Sequence, residues 1–235
     1  SRTGVVIGVD HVGESDTSAD LVDLFAGLPS NASWLAIGRQ APEATDLTRY
    51  TATTIHIDRY RQEMLVDVLM ARASEGLSQQ ALDHELARRI ADWADGNAHD
   101  ALAALFVAAV RATGNDRTHL TEADVRDALA EVPRPSTSLG RVLALPTNKQ
   151  LVLRHLLDLE ADERVSVSAT TEAISARPDV DLSAGTVKRF LYEMAEIGIV
   201  ERVQSDRKDG KGRPPSRVEL RFPPTVFRRL YDLQE

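Results

Sequence analysis

SAGTVKRFLYEMAEIGIVERVQSDRKDGKGRPPSRVELRF, residues 183–222, reads as a helix, a strand, a glycine- and proline-rich basic loop and a returning strand. Ser183 is the expected N-cap. Val187, Leu191, Met194 and Ile197 recur at i, i+4, i+7 and i+10, which turns them towards a core. Gly185, Thr186, Lys188, Arg189 and Tyr192 are then left on the outer face. The loop carries Arg207, Lys208, Lys211, Arg213 and Arg217 against Asp206 and Asp209, a net charge of +3. Only four lysines occur in the chain, and Lys188, Lys208 and Lys211 fall in this stretch. A chain of net charge −8 that gathers its cations on one element is expected to meet an anion there.

The remaining composition narrows the setting. With 235 residues and 43% hydrophobic content the chain can build more than one core, and 5% aromatic content predicts aliphatic, mainly helical packing. The absence of cysteine excludes disulfides and thiolate metal sites, as suits a reducing interior. No apolar run approaches the roughly 18 residues of a membrane span, and no secretory signal is visible, so a cytoplasmic location is expected. Acidic residues number 36, against 24 arginines and four lysines. Abundant carboxylates with scarce lysine match the surfaces of halophilic proteins, in which salt screens the self-repulsion. An arginine-rich acidic protein from a GC-rich genome is the plainer alternative.

Along the chain, residues 1–58 alternate strand and helix. VVIGV (Val5–Val9) ends at Asp10, a helix covers Ala19–Ala26, SWLAIG (Ser33–Gly38) is a second strand and TTIHI (Thr53–Ile57) a third. A lone strand so close to the first residue predicts a piece of a longer protein. Residues 59–132 read as four helices. Met64, Leu65, Val68 and Leu69 form one apolar stripe; Ser78 is the expected cap of the next helix, with Leu82, Leu86 and Ile90 four apart. AHDALAALFVAAVRA is strongly helical, and LTEADVRDAL opens on Thr121 with Asp124 three residues on, in the manner of a capping box. Residues 133–146, with PRPSTSLG, lack periodicity and mark a hinge. Residues 147–235 are expected to contain a helix in NKQLVLRHLLDLE, a short strand VSVS, a helix in TTEAISA and then the quoted stretch.

That order is the order of a winged helix, in which a recognition helix enters the major groove and the β-wing reaches phosphates or the minor groove. The expected contacts to DNA are Ser183, Thr186, Lys188, Arg189 and Tyr192 on the helix. Arg207, Lys208, Lys211, Arg213 and Arg217 are those of the wing. Small residues in the first turn allow close approach, and the helix dipole favours phosphate. Basic loops are also ordinary solvated hairpins, and winged helices also bind proteins; the basic outer face is what points to nucleic acid.

VVIGVDHVGE delivers Asp10 to a strand tip, as Walker B segments do to hold a water on Mg²⁺. His11 stands where an active ATPase has its glutamate. The two apolar strands, TTIHID, the helical segment DGNAHDALAALFVAAVRA with LTEADVRDAL, the hinge and NKQLVLRHLLDL leading into GTVKRFLYEMAEIGIVE together resemble the archaeal origin-recognition and Cdc-type AAA+ replication initiators. The resemblance spans essentially the whole chain, in order. It implies an α/β plus α plus winged-helix architecture, with a partial AAA+ parallel sheet, a helical lid bundle and a C-terminal winged-helix domain. It implies ATP or ADP with Mg²⁺ as cofactors near Asp10, His11, Arg49 and His99. Duplex origin DNA, paralogous initiators and the replicative helicase are the partners it implies; no membrane is among them.

The chain departs from that pattern. Gly96, Asn97, Ala98 and His99 occupy the places of a Gly-Asp-Ala-Arg segment whose arginine touches the γ-phosphate, and neutral imidazole cannot make arginine's bidentate fork. Arg39 and Gln40 lie where a sensor asparagine is expected; Arg49 matches the arginine that faces a neighbouring nucleotide. Loss of the glutamate and of the lid arginine predicts hydrolysis lower by several orders of magnitude. His56, His84, His119 and His155 are isolated and read as ordinary surface or core histidines. The expected function is duplex-DNA binding at a replication origin by a hydrolysis-deficient AAA+ protein. The alternatives are an ATP-binding switch with an intact Walker A loop upstream, and a winged-helix transcription regulator or interaction adaptor.

Overall fold

The computed structural model describes residues 4–12, 18–38, 41–44, 46–204 and 216–233. They form two compact units, residues 1–58 and 59–235.

In the first unit, strands β1 (Val5–Val12) and β2 (Ala32–Gly38) pair in parallel, joined through helix α1 (Ser18–Ala26). The ladder runs from Val5↔Ala32 to Val9↔Ala36 and slips before Val12↔Gly38. Asp10 therefore does not end the strand, as the sequence reading expects; it sits in that irregularity. One face of the sheet is covered, with Phe25 of α1 stacked on Trp34 at 4.2 Å between ring centroids. Val12, Phe25 and Leu47 are its buried core. Val6, Leu35 and Ile37, on the other face, are exposed. The expected third strand does not form: Thr53–Ile57 has no ladder partner, and Ile55 and Ile57 are 79% and 88% exposed. β-Branched residues favour a strand only where a neighbouring strand and a core receive them.

The second unit opens with four helices, α2 (Gln62–Gly76), α3 (His84–Ala94), α4 (Ala98–Gly114) and α5 (Glu122–Glu131). Leu65, Leu69, Leu82, Leu86 and Ile90 enter one core with the alanine-rich face of α4, whereas Met64, expected in the same stripe as Leu65, is 51% exposed, Val68 lies outside that core and Val66 is buried. Ser78, however, does not cap α3. Asp83 does, its Oδ1 accepting from the Leu86 amide at 2.7 Å, because the chain needs a further turn through Ala81 and Leu82 before the helix starts. The Thr121–Asp124 capping box is present on α5.

Residues 133–146 include α6 (Leu139–Leu143), with Val142 buried. Next come α7 (Thr147–Leu157), α8 (Val167–Ser175), α9 (Ala184–Glu196), strands β3 (Val200–Gln204) and β4 (Ser216–Leu220), and α10 (Pro224–Asp232). The expected strand VSVS is absent. Ser166 instead caps α8, accepting from the Ala169 amide, and Val167 is the first helical residue and is buried. A local cap outweighs a four-residue alternation that has no strand beside it. Among the described residues no helix is long and apolar enough to cross a membrane.

Two polar knots stiffen this unit. Asp124, 5% exposed, takes both Arg117 amino groups and the Thr121 amide and hydroxyl. The Arg117 hydrogen bonds are the largest cause holding its carboxyl well below the usual carboxylate range; partial burial opposes them and the Thr121 bonds add to them. Glu131 accepts from the Thr225 amide and hydroxyl, both at 2.8 Å, and from Arg111 at 3.2 Å, which pins the start of α10 to α4 and α5.

A carboxyl with a depressed folded-state value stabilises the fold above its unfolded value, near pH 3.9. That contribution disappears as pH falls from there towards the folded value. Asp124→Ala is expected to lower stability at pH 7 by about 1–3 kcal/mol. It should also flatten the decline of stability below about pH 4, as measured by urea unfolding across the acid range.

Candidate nucleic-acid interface

Helix α9 is mounted on the core by Val187, Leu191 and Met194, all fully buried. Ile197, expected to join them, is 42% exposed, because the helix ends at Glu196 and Ile197 is its C-cap. Ser183 caps the helix, its Oγ accepting from the Thr186 amide at 3.2 Å and lying 3.0 Å from the Thr186 hydroxyl. Those two side chains thus organise the first turn. Gly185, Lys188 and Arg189 are exposed, and Thr186 and Tyr192 half-buried.

The charges on α9 divide between two aromatic rings. On one side, Lys149 from α7 and Arg189 approach the Phe190 ring at 5.7 and 5.4 Å, and Glu193 joins them. Its carboxylate lies 2.8 Å from Lys149 Nζ and 3.7 Å from Arg189 Nε. The Lys149 hydrogen bond is the main cause that depresses the Glu193 carboxyl, with the Arg189 charge assisting and desolvation opposing. On the other side, Lys188 and Arg202 approach the Tyr192 ring at 5.8 and 4.4 Å. Neither has a carboxylate partner among the described residues.

Arg202 is the residue the sequence reading missed. In the antiparallel ladder it opposes Val218, with Val200↔Leu220 on one side and Gln204↔Ser216 on the other. Val200 and Val218 are core residues, so Arg202 stands on the core-facing side of the hairpin. That placement follows from the pairing of β3 with β4, which no local sequence pattern specifies. The other described cations of the hairpin are held by neighbours: Arg217 pairs with Glu219 at 2.6 Å, and Arg221, just beyond β4, with Glu201. Arg217, an expected DNA contact, is therefore held by a carboxylate; Arg207, Lys208, Lys211 and Arg213 lie outside the described residues.

The expected nucleotide residues are divided between the two units. Asp10 is exposed on β1, the His11 side chain lies outside the described ones, and Arg49 contacts Asp46 at 2.5 Å within a 3₁₀ turn, Asp46–Tyr50. His99 belongs to the other unit, exposed in the first turn of α4, which Asn97 caps. Gly96 has a structural duty of its own. It has φ +78°, and an added Cβ would come within 2.7 Å of the Arg59 Cβ and 2.9 Å of the Tyr60 carbonyl. The turn between α3 and α4 thus needs this glycine whether or not nucleotide is bound. Among the described residues no cluster of three His, Asp or Glu residues suits a metal. His155 lies 2.9 Å from Asp179, and His56 3.1 Å from Asp58.

No protein-family model matches the chain. The fold is similar to that of the Aeropyrum pernix ORC1 protein, solved in complex with DNA, which superposes over 95% of this chain and 62% of its own with a TM-score of 0.51 at 22% identity. The A. pernix ORC2 protein, in ADPNP–ADP complexes, aligns more loosely, at a TM-score of 0.41 and 17% identity over 98% of this chain and 65% of its own. In sequence, the chain is 26% identical over 154 residues to ORC1-type DNA replication protein 9 of Halobacterium salinarum, 65% of this chain. It is related to the archaeal origin-recognition and Cdc-type initiators. The match spans 42% of that curated relative's length.

Glu193 is the carboxylate that engages both Lys149 of α7 and Arg189 of α9. Glu193→Gln frees Lys149 and Arg189, and the expected outcome is several-fold tighter binding to duplex DNA with a steeper salt dependence, read by fluorescence anisotropy.

Proposed function

We propose that this chain binds duplex origin DNA as part of a replication initiator, using α9 and the β3–β4 hairpin as the recognition helix and wing of a winged helix. The observation that carries this reading is the outer face of α9. A capped, small-residue first turn leads to Lys188 and Arg189, on a helix anchored by three buried side chains, in a chain of net charge −8. The hairpin loop, residues 205–215, adds Arg207, Lys208, Lys211 and Arg213 by sequence. Kinship to the initiators supports DNA as the anion, and the A. pernix ORC1 protein was solved with DNA. In this reading residues 1–58 are part of an AAA+ core, 59–132 its lid, 133–146 a hinge and 147–235 the DNA-binding domain. Paralogous initiators and the replicative helicase are its protein partners.

The AAA+ region, in this proposal, does not hydrolyse ATP. His11 and His99 replace a glutamate and an arginine that phosphoryl transfer requires for positioning and charge stabilisation, and Arg49 is engaged by Asp46. These residues do not make a competent Mg²⁺–ATP site, and no catalytic step is assigned to them.

The acidic, lysine-poor composition and the relative in Halobacterium salinarum support a high-salt setting. Concentrated salt suppresses counterion release on phosphate binding, so the α9 face contributes more to selectivity there than the basic loop does.

Lys188→Ala, Arg189→Ala and Lys211→Ala combined are expected to weaken duplex binding and to reduce the slope of log K against log salt by about 2–3. Unchanged affinity and slope contradict the assignment of α9 and its hairpin. A steady-state assay with ATP and Mg²⁺ is expected to show no turnover; turnover that disappears in Asp10→Ala contradicts the hydrolysis-deficient reading.

A further inference from the structure

We infer that Arg202 is a phosphate-clamping residue of the DNA interface, held in place by Tyr192, and that it marks the side of α9 along which the duplex backbone runs. The inference rests on the proposed duplex binding by α9 and adds a residue and a direction to it.

Three features of Arg202 converge. It is exposed although it stands on the core-facing side of β3, opposite the buried Val218. Its guanidinium lies 4.4 Å from the centroid of the Tyr192 ring, a contact that orders a long side chain without using its N–H donors. It alone of the described hairpin arginines has no carboxylate, whereas Arg217 and Arg221 are paired. A guanidinium placed over a ring keeps its edge free, and that edge fits two oxygens of one phosphate.

Position selects the phosphate over the base. From Gly185 to Tyr192 the helix rises about 10 Å, at 1.5 Å per residue. A major groove is roughly 8.5 Å deep. If the first turn of α9 reaches the base edges, the Tyr192 level is at the groove rim, where the phosphates are. Lys188, one turn earlier over the same ring, falls on the same side. The opposite flank, with Lys149, Arg189 and Phe190, has Glu193 in its midst and is the poorer place for a strand of phosphates.

The test is a double-mutant cycle on the full chain with a 20-base-pair duplex, measured by anisotropy at several salt concentrations, with thermal melting as the control for folding. Arg202→Ala is expected to weaken binding about tenfold and reduce the salt slope by about 1, because one phosphate contact is lost. Arg202→Lys should keep the slope but not the affinity, since charge survives and the fork does not. Tyr192→Leu should weaken binding, and its cost should be smaller in the Arg202→Ala background than in the parent, because only Lys188 is then left on the ring. A purely structural role for Tyr192 predicts additive losses and a lowered melting temperature, and overturns the inference. If Lys188→Ala weakens binding while Arg202→Ala leaves affinity and slope at the parent values, α9 still binds DNA and the Arg202 assignment fails. If the parent binds no duplex, both fall.

Discussion

Val226 and Phe227 are neighbours in sequence and belong to different cores. Val226 packs among the helices α2–α5, whereas Phe227 lies with α7–α9 and contacts Phe222 edge-on at 5.2 Å. One helix, α10, therefore closes both. Leu230 and Tyr231 repeat the division one turn on. Around this shared helix the polar contacts agree: Glu131 holds Thr225, Ser136 donates to the buried Asp100, the Thr137 hydroxyl donates to the Gly198 carbonyl and Arg141 to that of Ile197. The last two hold the C-terminal end of α9. The orientation of the outer face of α9 within residues 59–235 is thus set by the packing of α10 and of residues 133–146, not by α9 alone.

On that scaffold the electrostatics of a −8 chain become local. Most described arginines are neutralised by a nearby carboxylate, as at Arg117–Asp124, Arg154–Asp158 and Arg228–Asp158. Such pairs hold elements together and leave little field for a distant anion. Lys188 and Arg202 are different, because they share an aromatic ring instead of a carboxylate. A ring orders a cation without cancelling it. Selective contact with a polyanion by an acidic protein follows from where the unpaired cations are, not from the total.

The parts legible in the sequence are those in which local chemistry and tertiary packing agree. The period of Val187, Leu191 and Met194 gives the buried side of α9, and Thr121 with Asp124 gives the start of α5. The larger helices and the hairpin could be read in order without coordinates, whereas α6 lies in a segment read as a hinge. TTIHI and VSVS could not, because strand propensity says nothing of whether a partner strand is near. Ser78 was a plausible cap passed over for Asp83, since where a helix begins depends on the length of the turn packed before it. The α10 pattern, with Pro224 at its start and Val226, Phe227, Leu230 and Tyr231 as two apolar pairs four apart, is a helix signal carried by the sequence itself. Arg202 needed the register of β3 on β4, which no local pattern specifies.

In the proposed function α9, with the adjoining strand β3, faces duplex DNA. Backbone NMR of the full chain titrated with a short duplex reads that contact residue by residue. Chemical-shift changes are expected at Gly185–Tyr192 and at Arg202, with the α2–α4 signals unmoved. Changes concentrated on α2–α4, with α9 silent, would contradict the proposed contact.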